Sequence, residues 1–227
     1  MNKDLRSFIG EARQLGSAYY AGVSKPLDPI FEPSVIQQKL AVEGRYPIIR
    51  CDHIKGSDLP LVTNLFGSYE LLGLALGVDP GKPKSEILQR FIEREQNPLP
   101  TETIQLDKAP VKQKVITGDD VDLNQLPIVH HAERDSGKYI TVGVLVIQDP
   151  DSGVLNAGMY RHEVQGKDLL GCMFNPTHHA GYIYRRCKEL NKKMEAVLFI
   201  GHHPAALIGT LCEGPIDLSE LEVMGGL

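Results

Sequence analysis

The pattern of apolar and polar positions in the first hundred residues switches between helical and strand-like periods. Apolar side chains recur at helical spacing from Asp4 to about Tyr20, with Asp4 as the expected N-cap. Two short runs of β-forming residues follow, YPIIRCDHIKG and LPLVTNLFG, bounded by Gly and Pro. Helical spacing returns in SYELLGLALGVD and PKSEILQRFIEREQ. This alternation predicts a small N-terminal α/β domain over residues 1–105.

The second half of the chain is dominated by strand-like runs. These are VKQKVITG, KYITVGVLVIQDP, VLNAGMYRHEV and AVLFIGHHPAALI, with the turn signal DPDSG between the second and the third. One helix interrupts them, within PTHHAGYIYRRCKELNKKM. The proline-containing stretch NPLPTETIQLDKAP predicts the connection between the domains. We therefore expect a mostly antiparallel β domain over residues 106–227, closed as a barrel.

Composition narrows the class of protein. The 227 residues are 42% hydrophobic and 23% charged, which is ordinary globular usage and enough for two modest domains. The formal net charge of -5, without a basic run longer than a pair, argues against a nucleic-acid partner. No segment approaches the roughly 18 apolar residues of a membrane span, and the four cysteines lack C-x-x-C spacing. We expect a cytoplasmic protein.

The stretch NAGMYRHEV places polar side chains in an otherwise apolar strand. The amide oxygen of Asn156 suits a hard cation such as Mg²⁺ or Mn²⁺. From the sequence alone, however, a residue that merely ends the turn after Gly153 is the favoured interpretation of Asn156. Arg161 suits a carboxylate or a phosphate, or else an exposed strand edge. Because these two residues are five apart, an ideal strand would send them to opposite faces. If both serve one pocket, the strand must bulge or bend at Gly158.

Three histidine pairs are the other candidates for chemistry: His130 with His131, His178 with His179, and His202 with His203. Neighbouring residues of a strand point to opposite faces, so such a pair cannot chelate one ion, and most of these histidines are expected to be structural. His178 is the exception because it lies in the first turn of a helix, where free N–H groups favour an anionic partner. The spacing disfavours a histidine-rich metal hydrolase.

A family resemblance joins these features. The segment from GKYITVGVLVIQDPDSGVLNAGMYRHEV through GCMFNPTHHAGYIYRRCKELNKKMEAVLFIGHHPAALIGT resembles the central region of the UbiD family of reversible decarboxylases. Three earlier stretches resemble the same family in the same order: DLRSFIGEARQLG, HIKGSDLPLVTNLFGSYELLGLALG and VDLNQLPIVHHAERDSGKYIT. The resemblance covers nearly the whole chain and rests on more than one motif.

The resemblance implies a fold, a cofactor and a set of site residues. Family members use prenylated FMN, with a divalent metal (Mn²⁺ or Mg²⁺) and often K⁺ at its phosphate, to decarboxylate aromatic or α,β-unsaturated acids with release of CO₂. The implied fold is an α/β domain followed by a split β-barrel of the flavin-reductase type. Asn156 and His178 match metal ligands, and Arg161 matches the arginine of a Glu-Arg-Glu catalytic set. The implied cofactor contacts also include Thr141, Gly158, Met159, Tyr160 and Thr177.

The same resemblance implies features beyond this chain. Family members are about twice as long. The third metal ligand and both catalytic glutamates are expected after Leu227, and none of Glu213, Glu220 and Glu222 is expected to take their place. We therefore expect a fragment or one subunit, inactive alone, that forms a homo-oligomer or pairs with a chain carrying the C-terminal half. A flavin prenyltransferase would supply the cofactor. The alternative is a non-catalytic module for flavin binding or assembly.

Overall fold

The first part of the chain is a small α/β unit, as the periodicity predicts. The structure is a computed structural model that describes residues 3–227. Strands β1 and β2 pair in parallel and β2 pairs antiparallel with β3, which gives a three-stranded sheet in the order β1-β2-β3. The elements in chain order are α1 (Leu5–Gln14), β1 (Tyr20–Val23), α2 (Glu32–Val42), β2 (Ile48–Cys51), β3 (Leu61–Thr63), α3 (Tyr69–Ala75) and α4 (Lys84–Glu95).

Two details of this unit differ from the sequence prediction. Helix α1 ends at Gln14 instead of near Tyr20, because Gly16 adopts a positive φ of 99° and turns the chain toward β1. The Asp4 N-cap is present, with its carboxylate accepting a hydrogen bond from the Ser7 amide at 2.9 Å. Helix α2 has no counterpart in the prediction, since its apolar residues do not form one stripe: Val35 and Val42 are exposed.

The second part consists of two small antiparallel sheets flanked by helices. Four short 3-10 helices cover parts of residues 106–125. The strand predicted for VKQKVITG, residues 111–118, is wrong: this run contains no strand and is touched by two of the 3-10 helices. The elements that follow are β4 (Tyr139–Ile140), β5 (Val144–Gln148), β6 (Leu155–Met159), β7 (His162–Val164), β8 (Leu170–Cys172), α5 (His179–Glu189), β9 (Ala196–Phe199), α6 (Pro204–Gly209) and α7 (Glu220–Gly226). The sheets have the orders β4-β7-β8 and β6-β5-β9, and residues 3–227 contain no closed barrel.

The run AVLFIGHHPAALI holds a strand and a helix. Only Ala196–Phe199 is extended, and α6 begins at Pro204, where the side chain of His203 accepts a hydrogen bond from the Ala205 amide at 3.2 Å. Proline at the first helical position, preceded by a capping side chain, starts a helix even within an apolar run. The structure thus has two short helices, α6 and α7, beyond the single helix that the pattern predicts for this half.

The chain changes sheets between Met159 and His162, and not at Gly158. Gly158 pairs with Leu145 in a regular register, and the ladder ends at Met159. Tyr160 and Arg161 connect β6 to β7, which belongs to the other sheet. The predicted bulge at Gly158 is therefore wrong. Gly158 is needed for space, because a Cβ atom there would lie 2.6 Å from the ring of Tyr160.

The largest hydrophobic core joins the beginning and the end of the chain. Phe8 and Leu71 pack in one cluster with Ala205, Val223 and Leu227. The β6-β5-β9 sheet has its own core on each face, one against α5 and one against α6. None of the helices within residues 3–227 is both long and apolar enough to cross a membrane.

Candidate functional site

Three polar side chains meet where β6, α5 and α7 come together. The Asn156 Nδ2 group donates a hydrogen bond to Glu220 Oε1 at 2.8 Å and lies 3.4 Å from His179 Nδ1. His179 Nδ1 is 3.7 Å from Glu220 Oε1. Asn156 and Glu220 are buried, and His179 is partly exposed. An amide, an imidazole and a carboxylate thus lie within hydrogen-bonding or ion-pair distance of one another at the edge of the core.

The backbone fixes this group from three directions. Asn156 pairs with Ile147 across the β5–β6 ladder, so its side chain lies on the sheet face that packs against α5. His179 is the first residue of α5, and Glu220 is the first residue of α7. The Ser219 hydroxyl donates to the Leu155 carbonyl at 2.5 Å, which holds the start of α7 against β6.

The donor set fits a divalent cation. Asn156 Oδ1 is buried and has no hydrogen-bond partner within residues 3–227. Buried polar atoms rarely lack a partner, so this oxygen is available to a ligand that the protein itself does not supply. The Nδ2 group of the same amide faces His179 and Glu220, so a cation between the three side chains requires the amide to turn over and present Oδ1 there. Glu220 is held in place by the Ala157 amide, which donates to Oε2 at 2.9 Å. Oxygen donors with one imidazole suit Mn²⁺ or Mg²⁺.

The group contains fewer charged metal-binding side chains than most metal sites do. Within residues 3–227 there is no cluster of three or more His, Cys, Asp or Glu side chains that could hold a metal ion. The group here has two such side chains, and its third member is an amide. The amide of Asn156 supplies a neutral oxygen ligand, so the site keeps three donors with only one negative charge from its side chains.

The structure brings His179, and not the predicted His178, to Asn156. His178 is the N-cap residue of α5 and is exposed, and its side chain makes no capping hydrogen bond. The pattern predicts a helix that starts at Pro176 or Thr177, whereas α5 starts at His179, so His178 precedes the helix and His179 is the neighbour that lies beside Asn156. Thr177, also exposed, donates hydrogen bonds from its amide and its hydroxyl to Asn175 Oδ1 at 3.1 and 3.0 Å.

Glu220 is a carboxylate that the sequence analysis did not place beside Asn156. The sequence analysis placed the glutamate partner of Asn156 after Leu227, yet α7 already carries a carboxylate to that residue. The available sequence signal was the serine before Glu220, which is a common residue at a helix start. The short DLSELEV run does not show by itself where that start would pack.

The remaining predicted residues make no side-chain hydrogen bonds to this group within residues 3–227. Tyr160 packs edge-on against Phe174 at a centroid distance of 5.4 Å. Burial and then the negative charge of Glu220 raise the pKa of the Tyr160 hydroxyl, which is consistent with a position near the carboxylate. Met159 is 38% exposed at the end of β6.

Arg161 and Thr141 lie together at one end of the β4–β7 ladder. The last paired residues there are Ile140 and His162, and Thr141 and Arg161 adjoin them on the two strands. Arg161 is exposed and has no ion pair or side-chain hydrogen bond with the residues that the structure describes. Its guanidinium is therefore available to an anionic ligand. Thr141 also lines a large cavity on another side of the molecule.

The fold and this donor group define a class: a mixed α/β and antiparallel-β protein with an Asn-His-Glu group suited to a divalent cation. Residues 20–94 match the family model of the 3-octaprenyl-4-hydroxybenzoate carboxy-lyase N-terminal domain, and residues 102–227 match that of the Rift-related domain of the same enzymes. The chain belongs to the UbiD family. The predicted domain boundary near residue 105 stays a prediction.

Curated relatives agree with this family. The chain is 35% identical to anhydromevalonate phosphate decarboxylase of Methanothermobacter thermautotrophicus, over 75% of this chain and 38% of the relative. It is 30% identical to the protein of the same name in Methanosarcina mazei, over 92% of this chain and 45% of the relative. The chain thus spans less than half the length of these relatives.

Solved structures show the same fold. The UbiD-class enzyme HmfF from Pelotomaculum thermopropionicum, in an evolved dimeric form in complex with prFMN, superposes with a TM-score of 0.90 at 30% identity, covering 99% of this chain and 50% of that one. Vanillic acid decarboxylase of Sedimentibacter hydroxybenzoicus in its closed form has a TM-score of 0.90 at 26% identity, covering 100% and 48%. The likeness therefore extends over both parts of the chain.

Proposed function

We propose that this chain forms the prenylated-FMN and metal site of a reversible decarboxylase acting on an aromatic or α,β-unsaturated carboxylic acid. The observation that carries the proposal is the meeting of Asn156, His179 and Glu220, in which the Asn156 Nδ2 group faces the other two side chains and its Oδ1 has no partner within residues 3–227. Membership of the UbiD family supports it, as does the complex of the structural neighbour HmfF with prFMN. The two antiparallel sheets would then form part of the predicted split barrel of the flavin-reductase type.

Asn156, His179 and Glu220 would hold a divalent metal, Mn²⁺ or Mg²⁺, that neutralises the cofactor phosphate, with K⁺ as a second cation. The carboxylate supplies the negative charge, and the buried position of Asn156 and Glu220 limits competition from water. Glu220 keeps its orientation through the Ala157 amide, so it does not have to be ordered when the cation arrives.

Arg161 would orient the carboxylate of the acid substrate. Its fork of donors can hold both carboxylate oxygens, and its guanidinium has no competing partner among the described residues. When bound, prenylated FMN supplies the electron sink for loss of CO₂. We place the backbone of Gly158, Met159 and Tyr160 against the flavin ring, where the packed Tyr160 ring limits access of water. Thr141 and Thr177 remain further proposed contacts.

The proposal extends to partners. An assembly as a homo-oligomer, or with a chain that carries the C-terminal half, would complete the site with the remaining catalytic carboxylates. A flavin prenyltransferase would supply the cofactor. The alternative function, a flavin-binding module without catalysis, requires the same cofactor site but no turnover, so decarboxylation assays on the complete assembly separate the two.

The neighbouring histidines provide the test. We expect His179→Ala to weaken manganese binding by at least about tenfold, since the loss of even an indirect partner of a ligand has an effect of this size. His178→Ala is the matched control, because it removes the adjacent exposed imidazole and should leave the affinity unchanged. Calorimetric titration with Mn²⁺, and the absorbance of protein coexpressed with a flavin prenyltransferase, measure the two parts of the site.

The opposite result would contradict the assignment. If His178→Ala loses manganese and His179→Ala keeps it, the metal lies outside the group formed by Asn156 and Glu220. Equal binding by both variants and the parent chain would remove the Asn-His-Glu site altogether.

A further inference from the structure

The segment that connects the α/β unit to the two antiparallel sheets lies almost entirely on the surface. Within residues 96–120 only Ala109 is partly buried, and all the other residues are exposed. Single exposed apolar side chains are normal on a protein surface, but this short segment carries many of them. Its large apolar side chains, each between 45% and 79% exposed, are Leu99, Ile104, Leu106, Val111, Val115 and Ile116. We call residues 99–116 the apolar segment.

The apolar segment forms turns that gain little from the rest of the chain. Two 3-10 helices, Leu106–Lys108 and Pro110–Lys112, lie within it. Within residues 3–227, every backbone–backbone hydrogen bond of residues 100–117 stays inside that range. Ordering the backbone costs about 1–2 kcal/mol per residue, which burial of apolar side chains normally offsets. A partner that covers the apolar segment would supply this burial.

The chain as a whole exposes more surface than a monomeric protein of its mass. Its accessible surface is 14356 Å². A folded monomer of 25.1 kDa exposes about 10,300 Å². The excess of about 4,000 Å² is several times the share of one partner in a standard interface, about 800 Å². This excess favours a large and permanent partner over an ordinary contact between two copies of the chain.

The last residues of the chain lie against the start of the apolar segment. The Leu227 carbonyl accepts a hydrogen bond from Arg94 Nη1 at 2.5 Å. Gly225 adjoins Leu99, because an added Cβ atom would lie 3.1 Å from the Leu99 carbonyl oxygen. The chain covers 38% of its Methanothermobacter relative and 50% of HmfF. A further half joined to Leu227 would therefore begin beside the apolar segment.

Three lysines give the apolar segment a positive charge. Lys108, Lys112 and Lys114 are exposed, and none of them forms an ion pair with the residues that the structure describes. Protein interfaces place opposite charges against each other. The surface that fits this segment is therefore apolar, with acidic side chains at its rim.

We propose that the apolar segment is the docking surface for the C-terminal half of a UbiD-family enzyme, present as a separate chain or joined to Leu227. The position of Leu227 and the large excess of exposed surface favour this partner over a second copy of the chain. The inference rests on the proposed function, which requires such a half, and it adds the surface that receives it.

Coexpression with a tagged partner tests the docking surface. The probe is the part of HmfF from Pelotomaculum thermopropionicum that this chain does not cover. We expect it to copurify with the parent chain. In Val111→Asp the recovery should fall at least about tenfold, because docking would bury an unpaired carboxylate. Val42→Asp is the matched control: Val42 is 84% exposed on α2, outside the apolar segment, so this variant should copurify as the parent chain does.

Thiol labelling locates the contact without relying on a loss of affinity. In the complex, Val111→Cys should react with a thiol reagent at least about tenfold more slowly than in the free chain, since the core of an interface excludes water. Val42→Cys should react at the same rate in both. Mass spectrometry of the labelled peptides separates these positions from the four native cysteines.

Three results would overturn the proposal. These are no copurification with the parent chain, equal recovery of Val111→Asp and the parent, and a homodimer of the parent chain that Val111→Asp dissociates in light scattering. The last result would assign the apolar segment to a second copy.

Manganese titration of the parent chain and Val111→Asp separates this proposal from the proposed function. Manganese binding without docking would retain the metal site and remove the docking surface. Docking without manganese binding would do the reverse. Equal manganese affinity of the two chains would also show that Val111→Asp keeps the fold around Asn156.

Discussion

Three histidines are partly or fully buried, and the cost of burying a charge outweighs any stabilisation of their protonated form. Burial is the main cause that lowers the pKa of each of them, His162, His202 and His203. His162 lies on β7 with 3% of its surface exposed, and both of its ring nitrogens lack partners within residues 3–227. These side chains fold in the neutral form, so acid should act on the folded state through them.

We expect the free energy of unfolding to fall as the pH drops below about 6.5, the pKa of an unfolded histidine. In this range the unfolded chain binds protons while His202 stays neutral until about pH 4. The unfolded state therefore gains stability relative to the folded state. Urea unfolding at about pH 7.5 and about pH 5 measures the loss, and His202→Phe should make it smaller.

His53→Phe is the control for this experiment, because His53 is exposed and its ring should contribute little. If His53→Phe reduces the pH dependence as much as His202→Phe does, the burial of His202 is not its cause.

At single positions the sequence indicated which residues are unusual for their element, but not which side chains lie next to them. Asn156 and Arg161 stood out because an amide and a guanidinium are unusual in an apolar strand, and the structure finds one buried without a partner for its oxygen and the other exposed. The choice between His178 and His179 depended on where α5 begins, and helix ends vary by one or two residues. Glu220 required knowledge of how α7 packs.

Short helices near the end of the chain position the site. Helix α7 presents Glu220 to β6, and α6 packs against α7 through Gly209. A Cβ atom at Gly209 would lie 2.7 Å from Met224 Cγ and 3.2 Å from the Met224 backbone. The missing side chain thus allows the two helices to approach closely.

We expect Gly209→Ala to destabilise the protein by about 1–3 kcal/mol, because the added methyl group must push α7 away from α6. Gly10→Ala is the matched control: it adds the same group inside α1, where nothing lies within 4 Å. That change should stabilise the protein by about 0.5–1 kcal/mol through helix propensity. Urea unfolding followed by circular dichroism measures both. A neutral or stabilising Gly209→Ala would show that the helices are not in close contact.

Periodicity predicted the long elements and missed the short ones. Helices α1, α3, α4 and α5 have an apolar stripe or a capping side chain that marks them, and the alternation of helices and strands gave the α/β unit. Helix α6 lies within an apolar run too short to distinguish from a strand by its period. The division of the β part into two sheets also escaped prediction, since no local pattern marks the turn at Tyr160 and Arg161.

On the scale of the whole molecule, the N-terminal α/β unit is not packed separately from the end of the chain. The ring of Phe8 in α1 meets that of His203 at a centroid distance of 5.4 Å, and Leu71 belongs to the same core as Ala205 and Val223. The Leu99 amide also donates to the Glu222 carbonyl at 3.0 Å. The apolar stripe of α1 was visible in the sequence, but the partner that covers it lies almost two hundred residues away.

This shared core predicts that the first and the last elements unfold together. Leu71 is fully buried, so Leu71→Ala should cost about 2–5 kcal/mol. Hydrogen exchange measured by mass spectrometry should then rise in α6 and α7 as well as in α1 and α3, since one cooperative unit has lost stability. Leu88→Ala, at a position 58% exposed on α4, should change exchange little. If Leu71→Ala speeds exchange only before residue 105, the core does not couple the two parts, and the predicted domains unfold independently.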